Sequence, residues 1–271
     1  MHQAEKPRGV MGVVMGWLLE RGNAIQNRAT VEALEPPPGA AVLEIGFGPG
    51  HALEMLAQRK PLGLVAGVDH SELMVETARR RLQRGRGTAA LDLRCGEACA
   101  LPFDDEQFDL VACQFGVMFF PGKADAFAEI RRVLTADGRL LMSTWGPVGT
   151  HGFAAALMAG VERAFPADPP TFVAAVPHGY PDVSKVTADL AAGGLELVAA
   201  ETVTLTGHAD SAADVAAGFC TGTPLRMAIE SRGDLAAATA VVGAEMTARM
   251  GTGPVSAQML AYFIEARPAR G

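Results

Sequence analysis

The sequence predicts an α/β fold, a doubly wound and mainly parallel sheet with helices on both faces. Three observations carry that expectation. Near-continuous apolar runs alternate with segments whose apolar residues recur at helical spacing. The runs are apolar at successive positions, as strands buried on both faces are. The first run opens into a turn with three glycines ahead of a helical pattern, the stretch "VLEIGFGPGH" over residues 42–51.

In chain order, "VMGVVMGWLLERG" (10–22) reads as a cap helix, too short to span a membrane. "AVLEI" (41–45), "GLVAGVD" (63–69), "LDLRCGE" (91–97), "FDLVACQF" (108–115) and "GRLLMSTW" (138–145) read as strands. "GHALEMLAQR", "SELMVETARRRL" and "KADAFAEIRRVL" between them read as helices. After Trp145 the rhythm changes. Residues 147–190 hold Pro-rich and helical pieces, and "GLELVAAETVTL" (194–205) is a sixth strand. An Ala-rich helical insertion over 209–250 precedes the seventh, "QMLAYFIEARP" (258–268). Residues 1–271 then form one domain, with its core at 30–146, 183–206 and 256–268. Cap segments at 8–30, 147–182 and 207–255 lie between those pieces. Right-handed crossovers place a ligand at the carboxyl ends of the strands.

A net charge of −7 argues against a nucleic-acid surface, which needs clustered Lys and Arg, so no nucleic-acid partner is expected. The basic run "ARRRLQRGRG", with Arg79, Arg80, Arg81, Arg84 and Arg86, falls at a helix C-terminus, where cations suit the macrodipole. It reads as a solvated helix end, the alternative being a patch for an anionic partner. No window reaches 18 uninterrupted apolar residues, and the first ten residues lack a signal-peptide layout, so a cytoplasmic protein without a membrane span is expected. Cys95, Cys99, Cys113 and Cys220 form no C-x-x-C pair. Buried thiols are the plain reading, and thiol chemistry at the first three is the alternative. No spacing of His and carboxylates suggests a metal.

What the glycine loop holds decides the function. Gly46, Gly48 and Gly50 let backbone approach a ligand at a helix N-terminus. A dinucleotide fingerprint would be G-x-G-x-x-G, whereas the spacing here is G-x-G-x-G, and Pro49 removes one N–H. Glu44, two residues before the first glycine, would repel a pyrophosphate and favour an ammonium or sulfonium. The loop therefore fits S-adenosylmethionine better than NAD. Asp69, 19 residues after Gly50, suits the two hydroxyls of a ribose. Its alternative is an N-cap for the helix starting near Ser71, a place Ser71 could also fill, leaving Asp69 free.

"VLEIGFGPG", "GVDHSELMVETAR", "GEACALPFDDEQFDLVACQFGVMFF" and "EIRRVLTADGRLLMSTW", in this order over residues 30–146, resemble class I S-adenosylmethionine-dependent methyltransferases. The likeness is to the small-molecule branch with the ubiquinone and menaquinone C-methyltransferases. It implies a Rossmann-like, mainly parallel seven-stranded sheet with an antiparallel last strand and helical cap insertions. It also implies S-adenosyl-L-methionine as cofactor, with S-adenosyl-L-homocysteine as product and no metal. Gly46, Phe47, Gly48 and Gly50 would line the methionyl part, with Glu44 near its amino group. Asp69 would hold the ribose, and His70 and Met74 would flank the adenine. Glu97, where the family has Asp, and Ala98 would meet the adenine amino group. Gln114 would sit beside the methionyl amine. Met74 has a plain core alternative, Gln114 a strand-end one, and "FGVMFF" (115–120) is either core or acceptor pocket.

Methyl transfer from a sulfonium is a direct displacement that needs alignment rather than a nucleophilic side chain. No catalytic residue is therefore assigned. If the acceptor must lose a proton, His151 is the candidate base, ahead of His178 and His208, and each has an ordinary loop role as its alternative. Trp17, Phe153, Phe165, Phe172, Tyr180 and Phe219 in the cap segments point to a small, largely apolar organic acceptor. Two other classes stand beside this reading: an NAD-dependent Rossmann oxidoreductase, and a catalytically silent cofactor-binding protein on the same fold.

Overall fold

The structure, a computed structural model, describes residues 36–58, 62–83 and 89–270. The cap helix expected over 10–22, the cap segment 8–30 with Trp17, and Arg84 and Arg86 lie outside the described residues. The elements run β1 (Ala41–Ile45), α1 (His51–Gln58), β2 (Leu64–Asp69), α2 (Glu72–Leu82), β3 (Ala90–Cys95), β4 (Phe108–Gln114), α3 (Lys123–Val133) and β5 (Leu134–Trp145). They continue with α4 (Gly152–Ala164), α5 (Phe172–Ala175), α6 (Val183–Ala192), β6 (Leu195–Ala209), α7 (Ala212–Gly222), α8 (Leu225–Glu230), α9 (Leu235–Met250) and β7 (Val255–Pro268).

The strands form one sheet in the order β3-β2-β1-β4-β5-β7-β6. β1 runs parallel to β2 and to β4, with Ile45 opposite Val68 and Glu44 opposite Ala112. β2–β3 and β4–β5 are parallel as well, placing Asp69 opposite Cys95 and Gln114 opposite Ser143. β7 runs antiparallel to its neighbours, since partner numbers fall on it as they rise on β5 and β6. Arg139 pairs with Glu265 and Gly146 N–H donates to Leu260 O; Arg267 pairs with Glu196 and Gln258 with Thr206.

The described residues fall into two compact units. One holds the described chain up to Thr144, Asp182–Glu201 and the chain from Tyr262; the other holds Trp145–Pro181 and Thr202–Ala261. In the first, Val42, Leu53, Leu56, Val65, Val75, Ala78 and Leu110 pack as one cluster. α3 buries Ala126, Phe127, Ile130 and Val133, the spacing of one helix face, and packs beside α6. In the second unit α9 lies against both α4 and α7.

Two expectations need correction, both at β3. β3 is not buried on both faces: it is an edge strand, with Leu91 45% exposed. It also ends at Cys95 rather than residue 97, because its parallel partner β2 ends at Asp69, opposite Cys95. The basic run does end α2, with Arg79 and Arg80 exposed, and its side chains also make contacts. Arg79 donates to Leu93 O, Arg80 pairs with Glu76, and Arg81 reaches His51 and Glu54.

Candidate functional site

Because β1 neighbours β2 on one side and β4 on the other, the sheet reverses its winding between β1 and β4. A crevice opens at the carboxyl ends of strands at such a point. Both edges of it carry polar residues. The glycine loop follows β1, and its three glycines have φ of +73° (Gly46), +55° (Gly48) and +81° (Gly50), values that side chains disfavour. Gly50 has a second reason to be glycine: a Cβ there would stand 2.6 Å from Ala78 Cβ on α2. The Phe47 ring turns away into the core cluster, across Gly67 of β2, so only its backbone is left to line a ligand.

Glu44 is 3% exposed, and its Oε1 accepts a 2.9 Å hydrogen bond from Gln114 Nε2 at the end of β4. Its Oε2 and the Gln114 Oε1 are buried and have no partner. Burial pushes the Glu44 carboxyl up to about 8, the Gln114 bond opposes the shift, and the Asp69 charge adds to it. Two orphaned acceptors side by side, one of them ionisable, call for a ligand with several N–H donors and a positive charge. A methionyl ammonium meets that requirement, so the residues present fit S-adenosylmethionine. A pyrophosphate does not meet it.

Asp69 is not free. Its Oδ2 accepts from Gly48 N–H and its Oδ1 from Ser71 N–H, each at 2.9 Å, while Ser71 makes no side-chain cap bond. The carboxylate thus ties the glycine loop to the start of α2, and each oxygen keeps a lone pair for a hydroxyl. Burial raises its carboxyl above the ordinary range, the two N–H bonds oppose the shift, and Glu97 is near enough to add to it. His70 lies beside it, Nδ1 3.8 Å from Oδ1, with a buried and unpartnered Nε2. Met74 and Ala98 are buried and Glu97 is exposed.

The end of β4 holds a feature that sequence reasoning missed. Phe115 has φ of +48°, strained for a residue with a Cβ. Its N–H is shared between Ser143 O at 3.1 Å and Ser143 Oγ at 3.2 Å, which holds the bend that follows Gln114. The polar pair Ser143–Thr144 within the buried strand stretch "LLMSTW" was the available signal. The "FGVMFF" stretch divides: Phe115, Val117 and Met118 are buried, and Phe119 is half exposed. The cysteines divide too, correcting the reading of four buried thiols: Cys113 and Cys220 are buried, Cys99 is half-buried and Cys95 exposed.

In the second unit His151 caps α4, its Nδ1 accepting from Ala154 N–H at 3.2 Å. The neutral ring therefore carries its proton on Nε2 and has no free lone pair. Burial, helped by His178, lowers it to about 4. This geometry suits a helix cap, not a base. His178 holds the other tautomer, Nδ1–H donating to Gly146 O at 2.8 Å, and packs edge-on to His151 with ring centroids 5.2 Å apart. His208 is exposed.

Residues 43–142 match the family described as methyltransferase domain. That stretch is similar to a methyltransferase domain. Glu44, the glycine loop, Asp69, Glu97 and Gln114 all fall inside it, and His151 falls outside. A ubiquinone/menaquinone biosynthesis C-methyltransferase of Paracoccus denitrificans is 34% identical over 130 residues, 48% of this chain and 52% of that protein. The nocamycin O-methyltransferase of Saccharothrix syringae is 34% identical over 123 residues, 45% of this chain and 42% of that one. The matches thus span about half the length of these relatives. The crystal structure of the YcgJ protein of Bacillus subtilis shares the fold, with a TM-score of 0.61 at 21% identity, over 92% of this chain and 100% of that one. Among the described residues no group of three or more His, Cys, Asp or Glu stands close enough to hold a metal ion. Nor is any helix among them long and apolar enough to cross a membrane.

Proposed function

We propose that this chain is an S-adenosylmethionine-dependent methyltransferase that moves a methyl group to a small, largely apolar organic acceptor. The observation that carries the proposal is the buried Glu44–Gln114 pair, with its two unpartnered oxygens beside the glycine loop. When bound, the cofactor supplies a methyl group already activated on a sulfonium. The protein's part is position and exclusion of water. Glu44 and Gln114 receive the ammonium, and loop N–H groups face the carboxylate. Asp69 takes the ribose hydroxyls, and Glu97 and Ala98 meet the adenine.

The acceptor is not written in these residues. One relative methylates carbon by its name and another oxygen, each at 34% identity to this chain. Phe165, Phe172 and Phe219, each half-buried in the second unit, support an apolar acceptor. We assign no general base, because the His151 lone pair is spent on its helix. A cytoplasmic location fits this activity.

Thermal denaturation with added ligand tests the proposal. S-adenosylmethionine and S-adenosylhomocysteine raise the melting temperature and NADH does not. Stabilisation by NADH alone favours the oxidoreductase reading. Stabilisation by the first two with no turnover of any offered acceptor favours the catalytically silent one.

A further inference from the structure

The segment that joins β3 to β4 carries Glu97 and Ala98, and its backbone is held from outside the proposed cofactor site. It leaves β3 with Gly96 N–H on Asp69 O, then closes a turn with Ala100 N–H on Glu97 O at 3.1 Å. The next residue, Leu101, is gripped at both of its backbone groups by α3. Its N–H donates to Glu129 Oε2 at 2.7 Å, and its carbonyl accepts from Arg132 Nη2 at 2.9 Å.

Arg132 commits every N–H it has. Nε donates to Glu129 Oε1 and Nη2 also to Glu129 Oε2, both at 2.8 Å. Nη1 donates to Phe103 O at 2.8 Å and to Asp105 Oδ1 at 2.7 Å. A guanidinium has five donors in a fixed fork, and here all five are used. Lysine has neither the number nor the planar geometry to replace it. The return contact, Glu106 N–H on Arg132 O at 2.9 Å, falls where Glu106 has φ of +53°. On the turn's other side Cys99 Sγ donates to Gly122 O at 3.2 Å.

So much fixed geometry exceeds what a surface connection needs, since exposed ion pairs add about 0–1 kcal/mol each. What it fixes is the three-dimensional place of a four-residue turn beginning beside Asp69. We infer that Glu129 and Arg132 are positioning residues that set the base edge of the cofactor site. Acting through the Leu101 backbone, they hold Glu97 and Ala98 at the distance that reads an adenine amino group. Neither residue touches the cofactor. The inference rests on the proposed cofactor, and it adds the origin of selectivity for its base.

The test compares S-adenosylhomocysteine with S-inosylhomocysteine, which presents a hypoxanthine carbonyl where adenine has an amino group. Calorimetric titrations use the wild-type chain, Arg132→Lys and Glu129→Gln, with a melting temperature for each. The wild type binds the adenine form about tenfold or more tightly than the hypoxanthine form, the worth of one hydrogen bond to a charged group. In Arg132→Lys that ratio falls toward one, mainly through weaker binding of the adenine form. A purely structural role lowers the melting temperature, leaves the ratio intact, and overturns the inference. Equal binding of both compounds by the wild type overturns it too. If Arg132→Lys does not fold, Glu129→Gln reads the same ratio with the volume at 129 kept. A wild type that binds neither compound refutes the cofactor itself, a failure distinct from a retained ratio.

Discussion

Gln114 Nε2 and Glu44 Oε1 are 2.9 Å apart, and this bond joins the ends of two strands 70 positions apart in the chain. Strand pairing between β1 and β4 brings them together, and burial then loads the pair with free energy. A carboxyl pushed up to about 8 is largely protonated at neutral pH, and it ionises when a cation arrives.

Proton release on cofactor binding follows from that shift. Because the folded value lies above the ordinary 4.5, Glu44 supports stability fully below pH 4.5, and the support is lost as pH rises through about 8. Between pH 6 and 8 the affinity for S-adenosylhomocysteine rises by up to about tenfold per pH unit. Titrations at pH 7 in two buffers of different ionisation heat show about one proton released. Glu44→Gln binds more weakly, releases none, and melts higher than wild type at pH 9.

Asp69→Ala removes two roles at once. The N–H groups of Gly48 and Ser71 lose their acceptor, which lowers stability by about 1–3 kcal/mol. Affinity for S-adenosylhomocysteine falls by about tenfold or more. Chemical denaturation and titration separate the two. Unchanged affinity refutes the ribose role, and unchanged stability refutes the loop-to-helix tie.

His151 sets an acid limit. Its folded value of about 4 lies below the ordinary 6.5, so its contribution is complete above pH 6.5 and is lost as pH falls toward 4. The full loss is on the order of 3 kcal/mol. His151→Asn keeps a helix cap and removes the titration, so its stability falls less steeply over that window. Burial lowers His178 as well, so some slope remains. An unchanged slope in His151→Asn contradicts the assignment.

Cysteine labelling sorts the four thiols. Burial pushes Cys113 up to about 12 and Cys220 up to about 11, so neither forms thiolate near neutrality. Mass spectrometry after iodoacetamide treatment of the folded protein finds label on exposed Cys95 first, and on Cys113 and Cys220 only after denaturation. Early label on Cys113 revives thiol chemistry at the end of β4.

Much of this was legible before the structure because local pattern and global fold agree. Apolar runs such as "AVLEI" and the 3.6-residue pattern of "KADAFAEIRRVL" stand in the sequence at their observed places. Glu44 was legible because a carboxylate at the mouth of a glycine loop conflicts with a strand's apolar rule, and such conflicts mark sites. Other features depend on contacts far apart in the chain. That Asp69 bonds Gly48, that Ser143 braces Phe115, and that Arg132 grips Leu101 are products of packing, with no periodicity to announce them. The role of His151 was not legible for the same reason. Its position after β5 suggested a base, and only the Ala154 N–H shows where its lone pair went.

The most direct measurement is calorimetric titration of S-adenosylhomocysteine into the wild-type chain and Glu44→Gln, with NADH as control. Micromolar binding by the wild type, weaker binding by the variant and none of NADH is the result expected of a buried carboxylate awaiting an ammonium. Equal affinity of the two proteins, or binding of NADH, would contradict it.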